Sequence, residues 1–314
     1  MHALLKRALA HAALLALAGA LVVPVHPALA SQVSCGAVLT ENTKLDRDLT
    51  NCSGDGLIIG ADHITVSLNG HSITGTGAAG SAGIRNIGHD RVTIQDGDFS
   101  GLDIEGFEIG ILLQDAHNNR VRRIFVEGSA FGIQLTASDH NDVSNNTARS
   151  LSAIQCDVVA YAGIALFDSD DNQIRENETH PSTDFGIALV NSHHNRVEKN
   201  GASPIDSDGN NCSGIALFDS NENKIENNIA AENRENGILV GFGSHGNLVA
   251  RNLAFRNAAD GIHVNDPATT IKHNTTNTNG NLGIFAVPGV IDGGGNRAQD
   301  NGNPAQCLNV ECST

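Results

Sequence analysis

The chain has 314 residues, with 19 Lys and Arg against 35 Asp and Glu, for a formal net charge of −16. That excess of negative charge disfavours nucleic acid and anionic membranes as partners, since both would repel it. With no Trp and a single Tyr (Tyr161), the composition also disfavours an aromatic carbohydrate platform.

The first 30 residues stand apart. Lys6 and Arg7 precede an apolar run, and Ala28-Leu29-Ala30 supplies a small-residue cleavage site before Ser31. This order is that of a secretory signal peptide cleaved after Ala30. A membrane anchor is the competing reading, and Pro24, Pro27 and the polar segment that follows disfavour it. No later apolar stretch is long enough to span a bilayer, so the mature chain is expected to be secreted or periplasmic and not membrane-embedded. Loss of residues 1–30 removes two basic and no acidic residues, which takes the net charge from −16 to −18.

Segment 31–55 is expected to cap the N-terminal end of the fold and segment 297–314 the C-terminal end, with a regular body over 56–296. Six cysteines in an exported chain suggest three disulfides. Nearness in sequence pairs Cys35 with Cys52 and Cys307 with Cys312, which leaves Cys156 for Cys212, although six cysteines admit fifteen pairings.

The body repeats. Glycine followed by isoleucine recurs at Gly83, Gly110, Gly132, Gly163, Gly186, Gly214, Gly237, Gly261 and Gly283, at spacings of 27, 22, 31, 23, 28, 23, 24 and 22 residues. A second motif, N-x-[IV]-x-x-N, runs in phase with it, as in Asn172/Ile174/Asn177, Asn195/Val197/Asn200 and Asn223/Ile225/Asn228. In "GIALF" (Gly163 to Phe167), Ile164 and Leu166 alternate with Ala165 and Phe167, the period of a strand with one buried face. A polar turn follows, then a short strand around the Ile or Val, then a third that leads to the next Gly-Ile. Such a repeat cannot bury a core alone, but coils stacked at about 4.8 Å bury a continuous apolar column. Equivalent asparagines then stack, each amide pairing with turn backbone. The pattern therefore predicts an all-β, single-stranded right-handed parallel β-helix of about ten coils, with three short strands per coil.

On these two motifs, and on "GADHITVSLNGHSITG" (Gly60 to Gly75), the chain from about Leu57 to Asn296 resembles the secreted right-handed parallel β-helix repeat proteins of the pectate-lyase-like superfamily. The resemblance implies that the Gly-Ile strands form the sheet that carries the active-site cleft. It also implies a carbohydrate-active protein, a lyase or epimerase on an acidic, alginate- or pectate-like polysaccharide. Two alternatives belong to other classes: a non-catalytic extracellular binding scaffold, and a periplasmic copper-related accessory protein.

Chemistry has three candidate places. The turn after each Gly-Ile strand carries Asp and His, as at Asp168, Asp170, Asp171, His193 and His194. In the echo "GIALFDSNENKIENN" (Gly214 to Asn228), Asp170 and Asp171 become Asn221 and Glu222 while the framework Asp-Ser-x-x-Asn stays, so these residues read mainly as turn chemistry. On the cleft strands the outward residues Ala165, Ala188, Ala216, Phe167, Val190 and Phe218 are small or apolar, with Phe167 and Phe218, beside His193, as candidate substrate contacts. The two longest spacings hold insertions, 150–162 and 201–213, which immediately precede cleft strands and contain Cys156 and Cys212. Their coils lie two steps apart, about 9.6 Å, beyond the roughly 7 Å reach of a disulfide, so the bond requires the insertions to lean together. Around them gather Tyr161 and His180 as candidate proton-exchanging groups, and Asp157, Asp184, Asp206 and Asp208 as candidate ligands of a Ca²⁺ that would neutralise a uronate carboxylate. The chain lacks the Asp-Pro-His motif of alginate epimerases and the paired-aspartate and Gly-His-Gly motifs of polygalacturonases. Arg85 and His263 also project from the cleft sheet, many coils apart.

Overall fold

The structure is a computed structural model that describes residues 33–97, 101–150, 156, 161–179, 184–202, 210 and 212–314. Among them every element is a β-strand, and every pairing is parallel and links one coil to the next. Three columns of strands result. The Gly-Ile column runs from Ala37–Leu39 to Cys307–Leu308, and a third column from Leu49–Cys52 to Cys312–Ser313. Between them in each coil lies a second column of 11 strands, from Thr43–Lys44 to Ile291–Asp292. In two coils the third strand runs without a break into the next Gly-Ile strand, as Ile104–Gln114 and Phe125–Thr136, which joins the first and third columns into one 22-stranded sheet. The fold is a right-handed parallel β-helix of about eleven turns. Parallel pairing already starts at Ala37, which faces Leu57, and continues to Ser313, which faces Arg297.

The inward positions explain the repeat. Ile111, Ile133, Ile164, Ile187, Ile215, Ile238, Ile262 and Ile284 lie in register in adjacent coils, and each is fully buried. Leu113, Leu135, Leu166, Leu189 and Leu217 form a second file two residues on. Each such side chain contributes about 1.5–3 kcal/mol by leaving water. The glycine ahead of each isoleucine is set by a close approach: a Cβ on Gly163 would lie 2.8 Å from the carbonyl oxygen of Gly186, and one on Gly186 2.5 Å from that of Gly214.

The asparagines form buried ladders at the bends. Asn200 Oδ1 accepts the backbone N–H of Asn177 (2.9 Å), and its Nδ2 donates to Ile174 O (2.8 Å) and to Asn228 Oδ1 (3.1 Å). The same links run from Asn146 through Asn252 and Asn274 to Asn296. They satisfy backbone groups that would otherwise be buried without partners, each worth about 1–3 kcal/mol if orphaned. The residue before each rung, such as Glu176 (φ 56), Lys199 (φ 55) or Asn227 (φ 58), takes the left-handed conformation that closes the bend.

Candidate functional site

One outward row of the Gly-Ile column starts with Val38 and Ile58 and continues in register through Arg85, Leu112, Gln134, Ala165, Ala188, Ala216, Leu239, His263, Phe285 and Leu308. It divides into three zones. Towards its N-terminal end Arg85 is locked, its guanidinium donating to both carboxylate oxygens of Asp55 at 2.7 and 2.9 Å. Burial pushes the Asp55 carboxyl up, but the Arg85 guanidinium and the Ala82 N–H outweigh it and hold the group below the usual carboxylate range. Arg85 is thereby committed to structure.

The middle zone is closed. Ala165, Ala188 and Ala216 are fully buried although they point away from the solenoid core. With Ala162, Phe185 and Cys212 they form a second hydrophobic cluster, flanked by Phe131, Cys156, Phe167, Phe218 and Leu239. Two edge-to-face ring pairs, Phe131–Phe167 (5.6 Å) and Phe185–Phe218 (5.7 Å), brace it. The Cys156–Cys212 disulfide lies in the same cluster, with a Cα separation of 5.5 Å, so these two cysteines do meet across the intervening coil. Cys35–Cys52 and Cys307–Cys312 are also bonded.

The C-terminal zone is open. His263 stacks on Phe285 (centroids 4.4 Å apart), and its side chain stays 24% exposed. Its Nδ1 faces Asp260 Oδ2 at 2.7 Å and its Nε2 faces Asn265 Oδ1 at 3.1 Å. Asp260 is only 4% exposed, and its other oxygen accepts from Leu282 N–H (2.9 Å) and Asn281 Nδ2 (2.7 Å) in the next coil. The carboxylate is thus fixed before it orients the imidazole. Phe242, on the turn after Leu239, is 76% exposed, and Leu308 closes the row with a partly open face. A histidine oriented by a buried carboxylate, with an apolar ring face beside it, can exchange a proton with a ligand lying along the row.

The turn ridge is a hydrogen-bond ladder. Asp139 Oδ1 accepts the N–H of Asp170, Asp170 Oδ1 that of His193, His193 Nδ1 that of Asn221, and Asn221 Oδ1 that of His245. The serines beside it do likewise, from Ser138 to Ser244. His193, expected as a substrate contact, is therefore a rung on this ridge.

Of the other expected site residues, Phe167 and Phe218 lie in the closed cluster, half-buried against their ring partners. Tyr161 is half-buried, and its carbonyl accepts Phe185 N–H at 3.3 Å. Asp184 is fully buried, and its carbonyl accepts Cys212 N–H at 2.8 Å. His180, Asp157, Asp206 and Asp208 lie outside the described residues. Among the described residues no three His, Cys, Asp or Glu side chains converge in a metal-holding group. The sequence carried one sign of the Asp260–His263 pair: "DGIHV" is the Gly-Ile copy with an imidazole at the outward position.

A family model described as periplasmic copper-binding protein (NosD) matches residues 58–203 and 151–301. A search of the curated proteins gives no sequence match. Among solved structures, the chain is similar to the Dettilon tailspike protein (TM-score 0.53, 17% identity), covering 88% of this chain and 61% of the tailspike. It is similar to the A-module of the Azotobacter vinelandii mannuronan C-5 epimerase AlgE4 (TM-score 0.53, 15% identity; 80% of this chain, 72% of the module). An alginate lyase from Paenibacillus sp. str. FPU-7 is also similar (TM-score 0.52, 15% identity; 90% of this chain, 97% of the lyase). At such identities the likeness is one of fold.

Proposed function

The chain belongs to the family of the periplasmic copper-binding protein NosD, and we propose that it acts outside the cytoplasm on an acidic polysaccharide, as a lyase or uronate epimerase. The observation that carries this reading is the Asp260–His263 pair on the open end of the Gly-Ile face, stacked on Phe285. The three disulfides, and the export with loss of residues 1–30 expected from the sequence, support the same compartment. The β-helix neighbours named as an alginate lyase and a mannuronan epimerase make uronate polymers the first substrates to try.

In this reading the sugar chain lies along Leu239, His263 and Phe285. A substrate group displaces Asn265 from Nε2, the longer and uncharged of the two bonds to the ring, while Asp260 keeps Nδ1. With Nδ1–H held by Asp260 and Nε2 carrying no proton, His263 then removes the proton at carbon 5 of the uronate. The imidazolium gives that proton to the departing glycosidic oxygen in a lyase reaction; in an epimerisation solvent protonates the other face of carbon 5 and His263 returns its proton to solvent.

Copper is implied by the family's description, and among the described residues neither a sulfur set for Cu(I) nor converging imidazoles for Cu(II) are present. Cu(I) sites are built from thiolate and thioether, yet no described cysteine is free, and the sole methionine is Met1. With no converging group among the described residues either, no step is routed through copper. The calcium expectation rests on Asp157, Asp206 and Asp208, outside the described residues, and on the buried Asp184.

The test is a screen of the mature protein on alginate, pectate and glycosaminoglycans, with and without Ca²⁺. Products are read as ultraviolet absorbance of the unsaturated sugar or as changed uronate NMR signals. The expected result is turnover of one polymer, lost in His263→Ala. Turnover of none would sink the enzyme reading and leave the binding scaffold, which the closed middle of the Gly-Ile face favours. Turnover that survives His263→Ala would move the chemistry elsewhere.

A further inference from the structure

A groove of about 560 Å³ opens on a different side of the solenoid, where the turn ridge meets the second column. Arg91, Arg120 and His140 line it, with Asn119, Asp142 and Gln173. Arg91 and Arg120 stand in adjacent coils, about 4.8 Å apart along the axis. Among the described residues neither guanidinium pairs with a carboxylate; Arg91 meets only His63 Nε2, at 3.2 Å. In a chain of net charge −16 this is an unusual place to leave two arginines unpaired.

A second observation lies in the lining. Asn119 is 1% exposed and its Oδ1 accepts Val92 N–H (2.8 Å), but its Nδ2 has no partner. The cause is positional. Asn119 is the first rung of a ladder in which Asn141 Nδ2 donates to Ala116 O and Asn172 Nδ2 to Ser138 O. The corresponding acceptor for Asn119 is His89 O, which instead takes Asn86 Nδ2 at 2.9 Å. Asp142 adds a buried Oδ1 without a donor, while its Oδ2 binds Arg175 Nη2 at 2.8 Å. An unpaired buried donor and acceptor are both costly, and a ligand bearing both kinds of group would repay that cost.

We propose that this groove is a binding site for the carboxylate and adjoining hydroxyl of an acidic sugar unit. The forked guanidiniums of Arg91 and Arg120 hold the carboxylate, Asn119 Nδ2 donates to one of its oxygens, and Asp142 accepts from the hydroxyl. The site lies six coils from His263 and in another column, so it would anchor a polymer remote from the proton-exchanging end. The sugar identity rests on the polysaccharide reading; the anion site itself does not.

Calorimetric titration of the mature His263→Ala protein with short alginate- and pectate-derived oligouronates tests the proposal without interference from turnover. Saturable binding is expected, weakened at least tenfold by Arg120→Ala or Arg91→Ala and absent for the methyl-esterified oligosaccharide. Both arginines are exposed, and an unchanged melting temperature will show that the variants fold. No saturable binding, or binding that both variants retain, would overturn the site. Inorganic phosphate that competes as well as the oligouronate would overturn the sugar assignment. Arginine-dependent binding without turnover of any polymer keeps this site and removes the enzyme reading; turnover with arginine-independent binding does the reverse.

Discussion

Ala188 and His263 occupy the same outward position of the same column, three coils apart, on strands held by the same glycine approach and asparagine rungs. Ala188 lies sealed under a cluster of phenylalanines and the Cys156–Cys212 disulfide, whereas His263 keeps part of its ring in solvent and is oriented by a buried aspartate. The difference does not come from the repeat. It comes from the Cys156–Cys212 disulfide and the phenylalanines around the middle strands, and from which residue fills the outward slot. The scaffold is uniform, and its surface is local.

The largest test of that contrast is to remove the middle closure. The Cys156–Cys212 bond spans 56 residues, and loss of its loop-closure constraint is worth about 4 kcal/mol. The double variant Cys156→Ser/Cys212→Ser should melt at lower temperature and exchange the amides of Ala165, Ala188 and Ala216 faster, with His263 and Phe285 unchanged. Equal acceleration in both zones would mean that the closure is part of the scaffold. A smaller effect tests the uniform part. Asn200→Ala beneath the closed zone and Asn274→Ala beneath the open one each break a buried amide link, at about 1–3 kcal/mol. Thermal melts should give matching losses, and a clear mismatch would show that the two zones differ below the surface as well.

The fold was legible because its causes are periodic. Ile164 and Leu166 had to face one way, and Asn177, Asn200 and Asn228 recur at the bend with nothing else to bond but backbone. The aspartates after Phe167 were legible as turn residues because the echo keeps Asp219 and Ser220 while changing Asp170 to Asn221. The left-handed residues were not, since Glu176, Lys199 and Asn227 share a conformation but no chemistry. His263 was legible as an outward residue of the cleft sheet, but its partner was not, because Asp260 precedes the glycine and reads as one more turn residue; only the fold shows its second oxygen tied down by Leu282. The groove at Asn119 depends on a missing acceptor in the coil before, which no pattern of residues displays.

The central claim is that ligand meets the open end of the Gly-Ile face and not its middle. Methyl NMR of the mature protein, with alanine and leucine labelled, tests it directly during titration with the polymer fragment that binds. Shifts confined on this column to Leu239 and Leu308, with Ala165, Ala188 and Ala216 unmoved, are the expected result. Shifts centred on those three alanines, with Leu239 and Leu308 silent, would contradict it.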